Sequence, residues 1–398
     1  MPVATTPEPS NGRPYILDVS RLLWRLGRNR LPTGIDRVCQ AYLDGLGNRS
    51  LAMVQWRRLR FVMGACDSDR LFRLLQSGLG GRNKRKLWGI LATALARRVS
   101  GGPPLAGRIV LNVGHTGLNA PGLVEWLRKK RVKPVYLIHD LIPITHPQYC
   151  RVGEAERHAQ RMRQALLSAS GIIANSRATQ AELANFATGA GLAMPPVLVA
   201  HLGIEPLPAN AAATPHGRPY FLCIGTIEGR KNHALLLHVW NSLRERLGGA
   251  APDLVLIGQR GWMADDVFAA LDGPPHAFGQ VLELAQCDDE ELAQRITHAR
   301  AVLMPSHVEG YGLPVLEAMA LGAPVIASNL PVYREIAGDV PLLLDPTDVA
   351  GWIEAIAAYT TDSDSRDRQI RTMAGYKPPR WADHIAAVER WLSASCRA

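Results

Sequence analysis

Residues 301–329, AVLMPSHVEGYGLPVLEAMALGAPVIASN, indicate the fold more clearly than any other stretch of the chain. The apolar run at 301–304 predicts a buried strand, and a helical pattern begins near Leu313. Between them, two glycines flank Tyr311 and predict a turn whose backbone can approach a ligand closely. Because this turn lies at the carboxyl end of a strand and opens a helix, its free N–H groups are suited to binding a diphosphate.

Two carboxylates border the same turn. Glu309 comes just before it, and Glu317 lies in the first turns of the predicted helix. Carboxylate oxygens accept hydrogen bonds from the hydroxyl groups of a sugar or a ribose, so both residues are candidate ligand contacts. The alternative is structural, because Glu317 can simply complement the positive end of the helix dipole.

Short apolar runs, each followed by a helical pattern, recur along the chain before and after this stretch. Runs of about five residues fit strands of a parallel sheet that is buried on both faces, with the intervening helices as crossovers. The runs lie at 15–19, 51–56, 109–113, 135–139, 171–175, 197–201, 220–224, 254–257, 281–284, 301–304, 324–327 and 342–344. They form two series and predict an α/β protein with two doubly wound domains.

A segment rich in Pro and Ala, PLPANAAATPHGRP at 206–219, separates the two series and has no periodicity, which predicts a linker. Near the end of the chain, four apolar residues recur at helical spacing: Trp381, Ile385, Val388 and Leu392. We therefore expect an N-terminal domain at 1–205, the linker, a second domain at 220–378, and a helix at 379–398 that packs back toward the first domain.

The charge is divided unevenly along the 398 residues. The first 200 hold 29 Lys and Arg against 11 Asp and Glu, whereas the rest hold 16 against 24. A basic half can face nucleic acid, an anionic membrane or phosphorylated substrates, or it can be plain solvated surface. The sequence has no basic stripe interleaved with aromatic residues, the pattern that would favour nucleic-acid binding. Six cysteines without a CxxC pair argue against a disulfide scaffold, and we expect neither a signal peptide nor a transmembrane helix.

One segment of the basic half does not fit the simple alternation of strands and helices. Residues 86–99, KLWGILATALARRV, follow a basic cluster and place five apolar side chains on one stripe: Leu87, Ile90, Leu91, Ala94 and Leu95. An apolar stripe with a basic flank is typical of a helix at a membrane surface. A helix packed on its own sheet, with the basic cluster solvated, is the alternative.

A second glycine turn, GTIEGRKN at 225–232, directly follows the apolar run at 220–224. Its adjacent Arg230 and Lys231 can hold phosphate oxygens by charge-assisted hydrogen bonds, although a solvated basic pair is the alternative. Two such turns in one domain favour a nucleotide ligand. The chain lacks a GxGxxG after an early strand and a GxxxxGK[ST] motif, which argues against a dinucleotide-dependent dehydrogenase and a P-loop enzyme.

The first half offers further candidates. Gly34, in LPTGIDRV at 31–38, can open a helix whose N-terminus faces the ligand crevice. His139 and Asp140 end the apolar run at 135–139, where strand ends of a doubly wound sheet point into that crevice. A buried structural histidine is the alternative for His139.

Taken together, these motifs resemble those of the family 4 retaining glycosyltransferases. EGYGLPVLEAMALGAPVIAS carries the Glu-x7-Glu signature of that family, and GTIEGRKN resembles its phosphate-binding loop. IHDLIPITHPQY, NSRATQAEL and HLGIEP match its usual segments in order. DVSRLL and TGIDRV resemble the N-terminus of a subset that acts in bacterial exopolysaccharide and lipopolysaccharide assembly.

The resemblance implies the GT-B fold, in which two Rossmann-like domains enclose an active site in the cleft between them. It implies that Glu317 holds the ribose, Glu309 contacts the transferred sugar and Lys231 neutralises the diphosphate. The donor-binding residues that it implies are Gly34, Gly225, Thr226, Arg230, Lys231, Glu309, Gly310, Tyr311, Gly312, Leu313 and Glu317. Its implied catalytic residues are His139, Glu309, Lys231 and Arg230. Many members carry Arg where this chain has Thr226, so whether Arg230 supplies the second cation stays open.

The function implied by the resemblance is retaining transfer of a sugar from a nucleotide-sugar donor to a growing, lipid-linked bacterial polysaccharide. GDP-mannose is the expected donor and a UDP-sugar is the alternative. The acceptor is a saccharide or a polyprenyl-diphosphate-linked sugar, and no metal, cofactor or nucleic acid is expected. We expect a cytoplasmic enzyme at the inner face of the inner membrane, docked on anionic lipid. The alternative function is a nucleotide-sugar-binding protein of the same fold without turnover.

Overall fold

The computed structural model describes residues 12–26, 34–56, 59–77, 83–99, 101–208, 217–273 and 281–395. Within these ranges, the chain forms two β-sheets, one of seven strands and one of six. The predicted linker lies partly outside the described residues, because 209–216 are not among them.

The first sheet has the spatial order β3-β2-β1-β4-β5-β6-β7, and all of its neighbouring strands are parallel except β2 and β3. Its strands are β1 (Tyr15–Asp18), β2 (Ser50–Trp56), β3 (Leu59–Val62), β4 (Ile109–Asn112), β5 (Lys133–Ile138), β6 (Gly171–Ala174) and β7 (Val197–Val199). The helices of this half are α1 (Ser20–Leu26), α2 (Gly34–Leu46), α3 (Ala65–Gln76), α4 (Asn83–Val99), α5 (Leu123–Lys130), α6 (Ile142–Thr145), α7 (Glu154–Ser168) and α8 (Arg177–Gly189).

The second sheet has the order β10-β9-β8-β11-β12-β13 and is parallel throughout. Its strands are β8 (Tyr220–Ile224), β9 (Asp253–Ile257), β10 (Val281–Leu284), β11 (Val302–Met304), β12 (Val325–Ser328) and β13 (Leu342–Leu344). The remaining helices are α9 (His233–Leu247), α10 (Asp265–Leu271), α11 (Asp289–His298), α12 (Leu313–Ala320), α13 (Pro331–Ala337), α14 (Val349–Thr360), α15 (Asp364–Met373) and α16 (Trp381–Ser395).

Both faces of each sheet are covered, which explains why most strand residues are apolar. Side chains of successive strand residues point to opposite faces, so Ile16 and Leu17 of β1 enter different core clusters. The second sheet behaves in the same way, with Phe221 and Leu222 of β8 in separate clusters. This arrangement confirms the predicted pair of doubly wound α/β units, and each predicted apolar run overlaps a strand.

Strand β3 was not predicted. It is an antiparallel edge strand that contains the polar Arg60, and it pairs with β2 from Met53 to Trp56. The two residues between β2 and β3 are Arg57 and Arg58, which lack the Asn-Gly or Gly-X signal of a two-residue hairpin. Arg60 is nevertheless buried, and its Nη2 donates to the backbone oxygen of Pro121 at 2.7 Å.

Helix α4 favours the structural alternative for residues 86–99 over a stripe that faces a membrane. It packs against α3, with Leu87 and Ala94 buried and an ion pair of 2.8 Å between Arg97 and Asp67. Most of the predicted stripe is therefore occupied by the protein's own core. Leu95 remains 42% exposed and Trp88 68% exposed. No described helix is long and apolar enough to cross a bilayer.

Helix α16, from the end of the chain, lies against α2 of the first half. Its apolar residues Val388 and Leu392 are buried, and a Cβ at Gly45 would lie 2.9 Å from Ile385. His384 fixes the contact, because its Nδ1 lies 2.9 Å from the backbone oxygen of His201 and its Nε2 lies 2.8 Å from the Tyr42 hydroxyl. A carbonyl oxygen only accepts, so Nδ1 carries the proton and the Tyr42 hydroxyl donates to Nε2.

We predict that His384 makes the fold sensitive to acid. Burial lowers the pKa of His384 to about 4, whereas histidine in an unfolded chain titrates near 6.5. The unfolded state therefore binds a proton first as the pH falls, and the free energy of unfolding decreases between pH 6.5 and 4. His384→Gln should flatten this slope by up to about 1.4 kcal/mol per pH unit in urea unfolding. His238→Gln, at an exposed position of α9, is the control. Identical slopes for wild type and His384→Gln would contradict the prediction.

Candidate active site

The loop after β8 has a fixed shape and leads into α9 through a 3-10 turn at Gly229–Lys231. Gly225 has a φ of +134°, a conformation that favours glycine. Asn232 heads α9 with a φ of +57°, and its Nδ2 donates to the backbone oxygens of Pro305 at 3.1 Å and Pro346 at 3.0 Å. The loop is thereby held against the residues that follow β11 and β13.

Glu309 lies between the two cations of this loop. Its Oε2 accepts from Arg230 Nη1 at 2.7 Å, and its Oε1 accepts from Lys231 Nζ and from Ser306 Oγ, the latter at 2.8 Å. The Glu309 side chain is only 6% exposed. Burial alone would raise the pKa of Glu309, but the charges of Arg230 and Lys231 outweigh it and lower the pKa to about 2. Glu309 is therefore ionised throughout the physiological range.

A second buried carboxylate holds Arg230 from its other side. Glu228 Oε1 lies 2.7 Å from Arg230 Nη2, while Glu228 Oε2 has no hydrogen-bond partner in the described structure. Burial raises the pKa of Glu228, and the neighbouring Arg230 and Lys231 oppose this shift. Sequence reasoning passed over Glu228, although it belongs to the same GTIEGRKN segment.

The glycine turn at 310–312 begins directly after Glu309. Gly312 has a φ of +105° and precedes α12, and a Cβ there would lie 2.4 Å from a ring carbon of Tyr333, so only glycine fits. Pro314 occupies the first turn of α12, where its missing N–H costs no helical hydrogen bond. A Cβ at Gly310 would lie 3.0 Å from the backbone oxygen of His139. The turn thus lies against the carboxyl end of β5 in the first sheet.

His139 directly follows the carboxyl end of β5 and is buried. Its Nε2 lies 2.7 Å from the backbone oxygen of Val113, which only accepts, so Nε2 carries the proton. Burial lowers the pKa of His139 to about 4, and the ring is neutral at pH 7. Nδ1 can therefore act only as a hydrogen-bond acceptor. Asn175 Nδ2 joins the two halves here, since it donates to the backbone oxygens of His139 at 2.8 Å and Gly310 at 3.2 Å.

A second histidine lies beside His139 and was not predicted. The ring of His115 is centred 5.0 Å from that of His139 and 6.0 Å from that of His158. His115 has a φ of +57°, which is uncommon for a residue with a side chain and typical of functional or strained positions. Its place just after β4 matches that of His139 after β5, and this shared strand-end position is the signal that could have identified it.

Glu317 lies in α12 and is only 5% exposed. Its Oε1 accepts from Arg37 Nη1 of α2 at 2.5 Å, across the boundary between the halves. The ends of the two helices also meet, because a Cβ at Gly34 would lie 3.7 Å from the side chain of Leu313. Burial raises the pKa of Glu317, and Arg37 opposes this shift. Arg37 was not singled out from the sequence.

Two further contacts join the halves around this region. Glu335 of α13 accepts hydrogen bonds from the backbone N–H groups of Arg177 at 2.7 Å and Ala178 at 3.1 Å, which begin α8. The rings of Tyr149 and His307 stack in parallel with centres 5.2 Å apart. The carboxyl ends of the two sheets therefore face each other in this structure.

The structure brings the predicted residues into three neighbouring groups. Arg230, Lys231 and Glu309 form the first; Gly310 with His139 forms the second; Gly34, Leu313 and Glu317 form the third. The hydroxyl of Tyr311 already has a partner within the protein, because it donates to the backbone oxygen of Leu202 at 3.0 Å. The Thr226 methyl faces Gly261. No group of three or more His, Cys, Asp or Glu side chains suited to a metal ion occurs within the described ranges.

Comparison with known proteins gives consistent matches. Residues 205–374 match the family model described as glycosyl transferases group 1. The chain is 32% identical over 259 residues to O-antigen chain mannosyltransferase B of Escherichia coli, covering 63% of this chain and 66% of that protein. It is 27% identical over 275 residues to the serotype-specific mannosyltransferase WbdA of Escherichia coli, covering 62% of this chain and 32% of that protein. The matches therefore span just under two thirds of one relative and about a third of the other.

Solved structures show the same fold at low sequence identity. Anabaena HepE in complex with UDP-glucose superimposes with a TM-score of 0.64 and 16% identity, covering 96% of this chain and 99% of that one. Sucrose-phosphate synthase from Thermosynechococcus elongatus gives a TM-score of 0.61 and 18% identity, covering 96% and 100%. These matches confirm the GT-B fold of two Rossmann-like domains with a cleft between them. The chain therefore has the GT-B fold, its residues 205–374 match the group 1 glycosyl transferases, and its sequence is similar to that of O-antigen chain mannosyltransferase B of Escherichia coli.

Proposed function

We propose that this protein is a retaining glycosyltransferase that moves a hexose from a nucleotide-sugar donor to a bacterial polysaccharide acceptor. The observation that carries the proposal is the cluster of Arg230, Lys231 and Glu309, which adjoins a glycine turn and a helix N-terminus. Donor binding is supported by the fold shared with HepE, which was solved with UDP-glucose. Mannose is the favoured sugar, with GDP-mannose as the donor, because the related O-antigen proteins are named mannosyltransferases.

The charges explain how such a site would promote transfer. When the bond between the anomeric carbon and the donor oxygen breaks, its electron pair goes to the diphosphate and the sugar gains oxocarbenium character. Lys231, Arg230 and the N–H groups that open α12 would stabilise the negative diphosphate. The acceptor hydroxyl would attack the same face of the sugar and pass its proton to the departing phosphate oxygen, which retains the anomeric configuration.

Glu309 is poorly suited to the alternative role of covalent nucleophile. Both of its oxygens accept hydrogen bonds, from Arg230 on one side and from Lys231 and Ser306 on the other. These cations lower the pKa of Glu309 to about 2, and a carboxylate of such low basicity is a weak nucleophile. In our proposal Glu309 accepts hydrogen bonds from hydroxyl groups of the transferred sugar and orients the two cations.

The alternative function, nucleotide-sugar binding without turnover, shares this fold and differs in its chemistry. Binding alone requires no cations placed to stabilise the negative charge that develops on the diphosphate during transfer. A measurement of nucleoside diphosphate release separates the two, because a binding protein retains the intact donor whereas a transferase releases the diphosphate when the acceptor is present.

We predict that Lys231→Ala lowers kcat/KM for transfer by about 100-fold or more, because it removes a preorganised cation facing the diphosphate. Coupled detection of nucleoside diphosphate release from GDP-mannose and UDP-glucose measures the effect. Lys377→Ala, at an exposed position, is the matched control. Wild-type kcat/KM in Lys231→Ala, with an unchanged Tm, would contradict the diphosphate role.

Glu317→Ala is expected to act on affinity rather than on the chemical step. Losing hydrogen bonds between ribose hydroxyls and a charged acceptor should weaken nucleotide binding by about 10- to 100-fold. Isothermal titration calorimetry with GDP and with UDP gives the dissociation constants. Glu354→Ala, at an exposed carboxylate of α14, serves as the control. If Glu317→Ala binds both nucleotides as the wild type does, the ribose assignment is wrong.

We further propose that the protein works at the cytoplasmic face of the inner membrane, on a polyprenyl-diphosphate-linked acceptor. The basic first half supports attraction to anionic lipid, since each Lys or Arg near such a surface contributes about 1 kcal/mol. On α4, Trp88 and Leu95 stay exposed although the helix packs on α3, and so do the basic Arg85 and Lys86. This combination suits a shallow contact with headgroups.

Vesicle flotation tests this membrane contact. We predict that the protein floats with anionic vesicles at low salt, less so at high salt, and not with neutral vesicles, because screening weakens surface attraction. The double variant Trp88→Ala/Leu95→Ala should lose most of the binding. Leu167→Ala, an exposed apolar position on α7, is the control. Binding that ignores lipid charge and salt would contradict the electrostatic model, and a complete lack of binding would favour a soluble acceptor.

A further inference from the structure

The ion pair between Arg37 and Glu317 crosses from one half of the protein to the other. Arg37 lies in the first turn of α2, and Glu317 lies in α12. Among the described residues, Arg37 is the only group that donates a hydrogen bond to the Glu317 carboxylate, at 2.5 Å. Gly34, three residues before Arg37 and on the same helix face, adjoins Leu313 at the start of α12. The contact is therefore part of an end-to-end approach of two helices.

Glu317 depends on this contact for its charge. A carboxylate that is 95% buried loses most of its hydration, and an uncompensated buried charge is strongly unfavourable. Two charged groups face it: Arg37 from α2 and Asp289 from the start of α11, which itself lies 3.4 Å from Arg37 Nη2. Burial and the Asp289 charge favour the protonated form of Glu317, whereas Arg37 favours the ionised form.

Ribose hydroxyls cannot replace the guanidinium in this role. They are neutral donors, and they bind best to an acceptor that is already ionised. A nucleotide that displaced Arg37 completely would leave the Glu317 charge uncompensated beside Asp289. Arg37 must therefore stay near the carboxylate while the ribose binds.

We propose that Arg37 is a positioning residue of the donor site, which keeps Glu317 ionised and oriented as the ribose acceptor. The proposal rests on the proposed function, in which Glu317 receives the nucleotide. It follows that the donor site in the second half is complete only when α2 of the first half rests against α12. Nucleotide binding and the approach of the two halves are then linked through one ion pair.

The test compares Arg37→Met and Arg37→Lys with the wild type in calorimetric binding of GDP and UDP from pH 6 to 9. Arg37→Met should bind about 10-fold or more weakly at pH 7, and its affinity should recover as rising pH ionises Glu317. The affinity of the wild type should vary less with pH, and Arg37→Lys should restore much of the affinity that Arg37→Met loses. Arg380→Met, at an exposed arginine paired with Asp383, is the matched control.

The double variant Arg37→Met/Glu317→Gln provides a further check. If Arg37 acts through Glu317, the double variant should lose the pH dependence of the single Arg37→Met variant. Equal or tighter binding by Arg37→Met would overturn the inference, because the pair would then only block the site. A loss of affinity that does not vary with pH would also overturn it, since Arg37 would then contact the nucleotide directly. If the wild type binds neither GDP nor UDP, the proposed function itself fails.

Discussion

A buried carboxylate held between two cations is the interaction on which the rest of the site depends. Glu309 is almost inaccessible to water, and its charge is stable there only because Arg230 and Lys231 both contact it. The two cations come from the loop after β8, whereas Glu309 follows β11. The ion pairs therefore fix two loops of the second sheet relative to each other, and they hold both cations next to Glu309, which directly precedes the turn into α12.

Close backbone approaches extend this arrangement to the first half. Gly310 approaches His139 closely, since a Cβ there would lie 3.0 Å from the His139 backbone oxygen, and Asn175 joins the backbones of both. Glu317 and Arg37 link α12 with α2 in a similar way. Because the carboxyl ends of the two sheets face each other, residues from strand ends far apart in sequence share one site. The parallel sheets thus supply both the rigid frame and the positions of the chemically active groups.

Much of this organisation could be predicted from sequence, and the exceptions have physical reasons. Buried parallel strands are apolar throughout, so runs such as 220–224 were recognisable, whereas the polar edge strand β3 was not. The stripe on 86–99 looked suited to lipid because periodicity shows that a helix has an apolar face but not what covers it. Leu87 and Ala94 are covered by the protein's own core, Ile90 and Leu91 are partly covered, and Leu95 stays exposed, as does Trp88 outside the stripe.

The candidate site likewise contains residues that the sequence identifies and residues that only the folded structure identifies. Residues within one motif, such as Arg230 and Lys231, were identifiable from their local chemistry. Arg37 and His115 were not, because their significance comes from contacts with Glu317 and His139, which tertiary packing brings close. Glu228 belonged to a recognised loop, yet its importance depends on burial beside Arg230. Sequence patterns indicate local ligand chemistry, but long-range charge compensation becomes visible only in the folded chain.

We propose above all that the site transfers a sugar with retention of its anomeric configuration. Proton NMR of the first product, formed from GDP-mannose and a mannose-containing acceptor before any equilibration, tests it most directly. We predict that an α-linked product, with the same configuration as the donor, forms only when the acceptor is present, and that GDP is released in equal amount. A β-linked product would contradict the retaining mechanism. Intact GDP-mannose and UDP-sugars that remain bound to the protein in the presence of acceptors would contradict transfer itself.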